Sequence, residues 1–77
     1  MQAYILIEAT IGRSREVARA LKAVPGVKES YLIMGPYDVV AIVEGHDASA
    51  VGNTVTGAIH KIPGISRTVT CLAVGIQ

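Results

Sequence analysis

Short runs of β-forming residues and stretches of helically spaced apolar positions take turns along this chain, and the whole succession occurs twice. Residues 3–9, Ala-Tyr-Ile-Leu-Ile-Glu-Ala, predict a first strand, which Thr10-Ile11-Gly12 interrupts. Val17, Leu21 and Val24 then recur at helical spacing with Ala18 and Ala20 alongside. Arg13, Arg15, Glu16, Arg19 and Lys22 cover the other side of that helix. Ser14 is its expected N-cap and Pro25-Gly26 its stop. Residues 27–34 and 38–45 predict two strands joined by Gly35-Pro36-Tyr37, a link short enough for a hairpin. Asp47 is placed to cap a second helix whose apolar stripe is Val51, Val55, Ala58, Ile59 and Ile62. Residues 66–75 predict the last strand.

The duplication is explicit in the residues. Val24-Pro25-Gly26-Val27 returns 38 positions later as Ile62-Pro63-Gly64-Ile65, and 38 is half of a 77-residue chain. At the same offset Val17, Ala20 and Leu21 meet Val55, Ala58 and Ile59; Ile5 meets Val43, Ser30 meets Thr68, and Ile33 meets Cys71. Each half is thus one strand–helix–strand unit. Such crossovers are right-handed, and two of them joined by a hairpin predict the ferredoxin-like βαββαβ arrangement of an α+β domain. Both helices then lie on one face of a four-stranded antiparallel sheet. Alternate residues of a strand point to opposite faces. Ile5 and Ile7 therefore oppose Tyr4 and Leu6, and Val39, Ala41 and Val43 oppose Val40 and Ile42. Both faces are apolar while helices cover only one, so the bare face calls for a second copy of the chain.

Composition strengthens that expectation. Apolar residues make up 51% of the chain and charged residues 17%, with mean hydropathy +0.46. A single core of this size is marginal, and the one cysteine, Cys71, cannot form an intramolecular disulfide. Seven basic and six acidic residues are well mixed, giving net charge +1 and no basic stripe, which argues against direct nucleic-acid binding. No apolar run approaches the roughly 18 residues that a membrane span requires. The opening Met1-Gln2-Ala3-Tyr4 has no basic leader, and the expected setting is the reducing cytoplasm. One cysteine and two scattered histidines predict no metal site, and no motif calls for a cofactor.

Two stretches carry candidate chemistry. Gly35-Pro36-Tyr37-Asp38 reads first as a turn, since Gly tolerates unusual φ, Pro fixes it and Asp bonds backbone N–H groups. It also makes a polar corner on an apolar sheet: turn amides can meet a carboxylate, Asp38 an ammonium group, and Tyr37 adds a ring and a hydroxyl. That set complements a zwitterionic amino acid. Thr68 and Thr70 share one face of the last strand, either as ordinary strand surface or as a pair of hydroxyls that read a polar ligand. Ser66 and Arg67 precede them. His46 and His60 read as solvated or interfacial, Glu8 and Glu44 as solvated or ion-paired, and Cys71 as an inert buried thiol. Gly52, Asn53, Gly57 and the run Thr54-Val55-Thr56 leave the second helix weak on its own, so packing must hold it, or it serves as a contact surface or mobile element.

The helix ending in Val24-Pro25-Gly26-Val27, the loop Gly35-Pro36-Tyr37-Asp38, the repeat Ile62-Pro63-Gly64-Ile65 and the strand Arg67-Thr68-Val69-Thr70 together resemble one known family. It is the effector-binding (RAM) domain of the Lrp/AsnC transcription regulators, and the resemblance spans essentially all 77 residues. Those regulators carry a helix-turn-helix ahead of the domain; this chain starts in the first strand and is similar to a stand-alone effector domain. The resemblance implies a dimer through the sheet, dimers assembling into a ring of four (an octamer), and an amino acid or related metabolite bound between dimers. By position it would place Gly35, Pro36, Tyr37 and Asp38 in the loop part of that site and Thr68 and Thr70 in the strand part. It also implies partnership with full-length regulators of the family. The expected function is a non-enzymatic, small-molecule-sensing regulatory module. Two alternatives stand beside it: a small ferredoxin-like dimeric enzyme of monooxygenase or isomerase type, in which His60, Tyr31 or Tyr4 would carry the chemistry, and a ligand-free assembly scaffold.

Overall fold

The apolar residues concentrated in the first and third strands occupy the middle of the sheet, where both neighbours and the helices can bury them. In the computed structural model, which describes residues 1–75, the chain runs β1 (Gln2–Ala9), α1 (Ser14–Lys22), β2 (Val27–Leu32), β3 (Val39–Glu44), α2 (Ala48–Gly57), a single 3-10 turn (Ile59–Lys61) and β4 (Ile65–Leu72). The strands are antiparallel in the order β2-β3-β1-β4. This is the expected βαββαβ fold. Its core lies between sheet and helices, with Ala3, Ile5, Ile7, Val39, Ala41 and Val43 buried against Val17, Leu21, Val51, Val55 and Ile59.

The opposite face is left open. Tyr4, Tyr31 and Cys71 are exposed there, and Leu6, Val40, Ile42 and Val69 are half-buried only by their neighbours in the sheet. Cys71 is therefore not the buried thiol the sequence suggested, because it stands opposite Tyr4 on the face that no helix covers. On the same side the Tyr31 hydroxyl donates to the Glu29 carboxylate, and that bond chiefly holds the phenol above its ordinary value.

The duplication survives in the centre of the fold and fails at its edges. The pair Ile5↔Ala41 maps under the 38-residue offset onto Val43↔Ala3, another rung of the same ladder. The two Pro-Gly turns match closely, with Gly26 at φ +95° and Gly64 at φ +96°. The edge strands do not match. Ser30 stands opposite Ala41, the counterpart of Ala3, whereas its own counterpart Thr68 stands opposite Ile7, four residues further along β1. Four strand residues are about 13 Å. Ser30 consequently sits buried under α1 and donates to the Ala18 carbonyl at 2.8 Å. Thr68 sits at the other end of the sheet, beside the turn that follows α2.

Helix boundaries depart from the sequence reading in two places. Ser14 does not cap α1; it is the first helical residue, and Arg13 occupies the N-cap without a side-chain cap bond. Gly12, at φ +83°, turns the chain early, the Arg13 N–H closes onto Thr10, and Arg13 pairs with Glu16 at 2.9 Å. The second apolar stripe does not belong to one helix. Asp47 caps α2 through the Ala50 N–H at 2.9 Å, as expected, but α2 ends at Gly57. Ile59 is buried from the 3-10 turn, and Ile62 lies beyond it. Thr54 and Thr56 hydroxyls bond back to the Ala50 and Gly52 carbonyls, a habit that weakens helices. A Cβ on Gly52 or Gly57 would meet nothing within 4 Å, so neither glycine answers to a close approach within the chain.

The matched turns respond differently to the same change. A side chain at positive φ costs about 1–2 kcal/mol. At Gly26 a Cβ would lie 3.3 Å from the Thr54 hydroxyl oxygen, at Gly64 only 3.0 Å from the Arg13 Cβ and 3.3 Å from Val17. Both Gly26→Ala and Gly64→Ala are expected to lower the thermal midpoint, Gly64→Ala by more. Equal losses in parallel melts would show that φ alone decides.

Candidate functional site

The loop between β2 and β3 is longer than a tight hairpin, running from residue 33 to residue 38 and closed by the Ile33 N–H on the Asp38 carbonyl at 3.0 Å. Two bonds fasten its far end to β1. The Asp38 N–H donates to the Ile7 carbonyl at 2.9 Å, and the Asp38 carboxylate accepts the Ala9 N–H at 2.9 Å. Asp38 is half-buried there, just past the last pairing of β1 with β3 at Ile7 and Val39. Gly35 and Pro36 are exposed at the tip, and Tyr37, half-buried, leans towards β4. Its hydroxyl accepts from the Arg67 guanidinium at 3.3 Å, and that guanidinium lies 5.9 Å from its ring centroid, within cation–π range. Ser66 completes the corner by donating to the Glu8 carbonyl at 2.9 Å and to the Glu8 carboxylate at 3.3 Å.

Thr68 and Thr70 lie elsewhere in the same protomer. They stand opposite Ile7 and Ile5, on the helix side of β4, while Arg67 faces the other way, opposite Glu8. Because β4 is slid along the sheet, α2 does not close over it. A groove of about 440 Å³ opens between them, walled by Val51, Gly52, Val55 and Leu72 and floored by Thr68 and Thr70. His60 stands at its end, its Nε2 2.9 Å from the Thr68 hydroxyl. The groove is mainly apolar with hydroxyls and one imidazole, which suits a small amphipathic molecule or side chain.

The six residues singled out from sequence thus form two sets. Tyr37 and Asp38 meet at the loop corner, with Gly35 and Pro36 at its rim; Thr68 and Thr70 meet in the groove. The two sets share the β1–β4 end of the sheet but face opposite sides of it. Arg67 and His60, both noted in the sequence, stand outside the six ligand-site residues singled out there. Arg67 carried a signal, an arginine one position before the threonine pair, but nothing in sequence shows that the loop folds down onto it. His60 carried none, since its contact with Thr68 depends on the 3-10 turn that replaces the last turn of α2. Among the described residues no group of three His, Cys, Asp or Glu side chains is placed to hold a metal ion, and no helix is long and apolar enough to cross a membrane.

Comparison with known proteins supplies the family. A model described as the Lrp/AsnC ligand binding domain matches residues 2–75. An uncharacterized HTH-type transcriptional regulator of Pyrococcus horikoshii is 34% identical over 59 residues, which cover 77% of this chain and 39% of that regulator. A homocitrate synthase of Sulfurisphaera tokodaii is 39% identical over 56 residues, covering 73% of this chain but 12% of the enzyme. The crystal structure of TTHA0845 from Thermus thermophilus superposes with TM-score 0.91 at 34% identity, covering 99% of this chain and 95% of that one. The structure of a Neisseria meningitidis transcriptional regulator in complex with L-Met superposes with TM-score 0.83 at 18% identity, covering 96% of this chain and 49% of that one, a likeness of fold.

Proposed function

The chain belongs to the Lrp/AsnC ligand-binding domain family, a regulatory ligand-binding module, and from that premise we propose that it senses an amino acid or closely related metabolite as a homo-oligomer without catalysing a reaction. The observation that carries this reading is the Gly35–Asp38 corner. A half-buried carboxylate, a phenol and a guanidinium converge there at the sheet's end, with polar groups of both signs left for a ligand. The Neisseria regulator of the same fold was solved with an amino acid, which agrees with that chemistry. The similarity to a homocitrate synthase transfers no chemistry, because it covers only 12% of that enzyme.

The bare sheet face packs on a second copy, which gives Tyr4, Leu6, Val40 and Ile42 the cover they lack. Further assembly of dimers into an octameric ring would set the loop corner of one chain against its neighbours. A ligand in such a junction would touch Gly35, Pro36, Tyr37 and Asp38 of one protomer, and Thr68 and Thr70 in the groove of a neighbouring one. Occupancy would pass to full-length regulators of the family through shared assembly, with these 77 residues making no contact with nucleic acid themselves.

Asp38→Asn tests the site. It keeps an oxygen for the Ala9 N–H while removing the charge that an ammonium group would meet. In a thermal-shift screen against the common amino acids, a ligand present at 100 times its dissociation constant adds about 2.7 kcal/mol of stability. The parent should respond to one or a few amino acids and Asp38→Asn should lose most of that response. An equal response from the variant would sink the assignment of Asp38.

A further inference from the structure

Arg67 is a cation held in place without a carboxylate. Arg13 has Glu16 at 2.9 Å and Lys28 has Glu44 at 3.7 Å, but among the described residues no carboxylate lies within 4 Å of Arg67. Two are close in the fold. Glu8 is its cross-strand partner, and Asp38 is fastened to the next residue of β1, Ala9. Each acid has committed one oxygen, Asp38 Oδ2 to the Ala9 N–H and Glu8 Oε1 to the Ser66 hydroxyl. The Tyr37 ring and hydroxyl hold the guanidinium by one edge. A guanidinium has five donors in a rigid fork, so one bond to Tyr37 leaves a bidentate edge for a planar anion. Charges of both signs thus stand at one corner, each oriented by neutral neighbours rather than by each other.

We infer that Arg67 is the residue that takes the carboxylate of a zwitterionic α-amino acid, with Asp38 and Glu8 turned to its ammonium group. The inference rests on the amino-acid-sensing reading and replaces the turn amides, to which the loop sequence alone points, as the carboxylate partner. Tyr37 acts as a positioning residue: it keeps the guanidinium over the corner while leaving its charge unpaired. Charge-assisted bidentate pairs are the strong, geometrically selective ones, so discrimination against a neutral carboxamide should reside in this side chain.

The test measures the twenty common L-amino acids, each beside its α-carboxamide, by thermal shift and then by calorimetry for those that respond. The parent is expected to prefer the acid over its amide by about tenfold or more, the scale of a charge-assisted bond. Arg67→Gln, exposed within one protomer, should fold as the parent does yet bind acid and amide within about twofold of one another. Arg67→Lys should fall between them, since a point charge replaces the fork. An unchanged acid-to-amide ratio in Arg67→Gln overturns the inference and returns the carboxylate to the turn amides, with sensing intact. Equal binding of acid and amide by the parent also overturns it. A parent that answers to no amino acid strikes the sensing reading itself, and Arg67 with it.

Discussion

Ile5→Ala should cost about 2–5 kcal/mol, the range for removing a large aliphatic side chain from a core. Ile5 has no exposed surface and sits in the central strand β1, between Ala41 of β3 and Thr70 of β4 and beneath the helices. The cavity would open where strands on both sides and the helix layer meet, and rigid neighbours on three sides cannot collapse into it. For a domain of this size each kcal/mol lowers the thermal midpoint by about 4–8 °C. A thermal melt with a shift below about 5 °C would show that the core is looser than its burial indicates. Ile11→Ala, the same substitution at a fully exposed position, is the control and should cost much less.

Ile42→Asp should break the assembly while sparing the protomer. Ile42 lies in the other central strand, between Tyr4 and Glu29 on the uncovered face, so its side chain does not enter the core. In the proposed dimer each aspartate would be buried in an apolar interface without a cation, and one unpaired buried charge costs several kcal/mol. Two symmetry-related copies would raise the dimer dissociation constant by at least about a hundredfold, at 1.4 kcal/mol per tenfold. Sedimentation across a concentration series reads this directly. A variant that keeps the parent's mass at every concentration would place the contact elsewhere.

How much was legible in sequence follows from which interactions are local. Strand and helix placement came through because β-branched runs, helical spacing and two Pro-Gly stops are short-range signals, and the two-faced apolar pattern of β1 and β3 is a property of alternation alone. Capping was half legible: Asp47 behaves as its type predicts, while Ser14 lost the cap to a turn set by Gly12. The register of the edge strands was not legible. The duplicated sequence implies duplicated pairing, yet Thr68 stands opposite Ile7 where strict repetition would set it opposite Ala3. That slide decides the candidate site, since it opens the α2–β4 groove and brings Arg67 beneath Tyr37. Cross-strand register depends on contacts between residues some 60 apart, which no local pattern encodes.

The strand order also sets a timetable. The β2–β3 hairpin and the loop that carries Asp38 can form while the chain is still being made, and β1 can join β3 as soon as Glu44 has emerged. β4 comes last and pairs with β1, closing a loop that spans most of the sequence, the slow kind of contact in folding. Until residue 72 is in place the corner has its acids but no arginine, and the groove has a wall but no floor. A nascent or truncated chain could therefore adopt much of the fold and still be blind to its ligand.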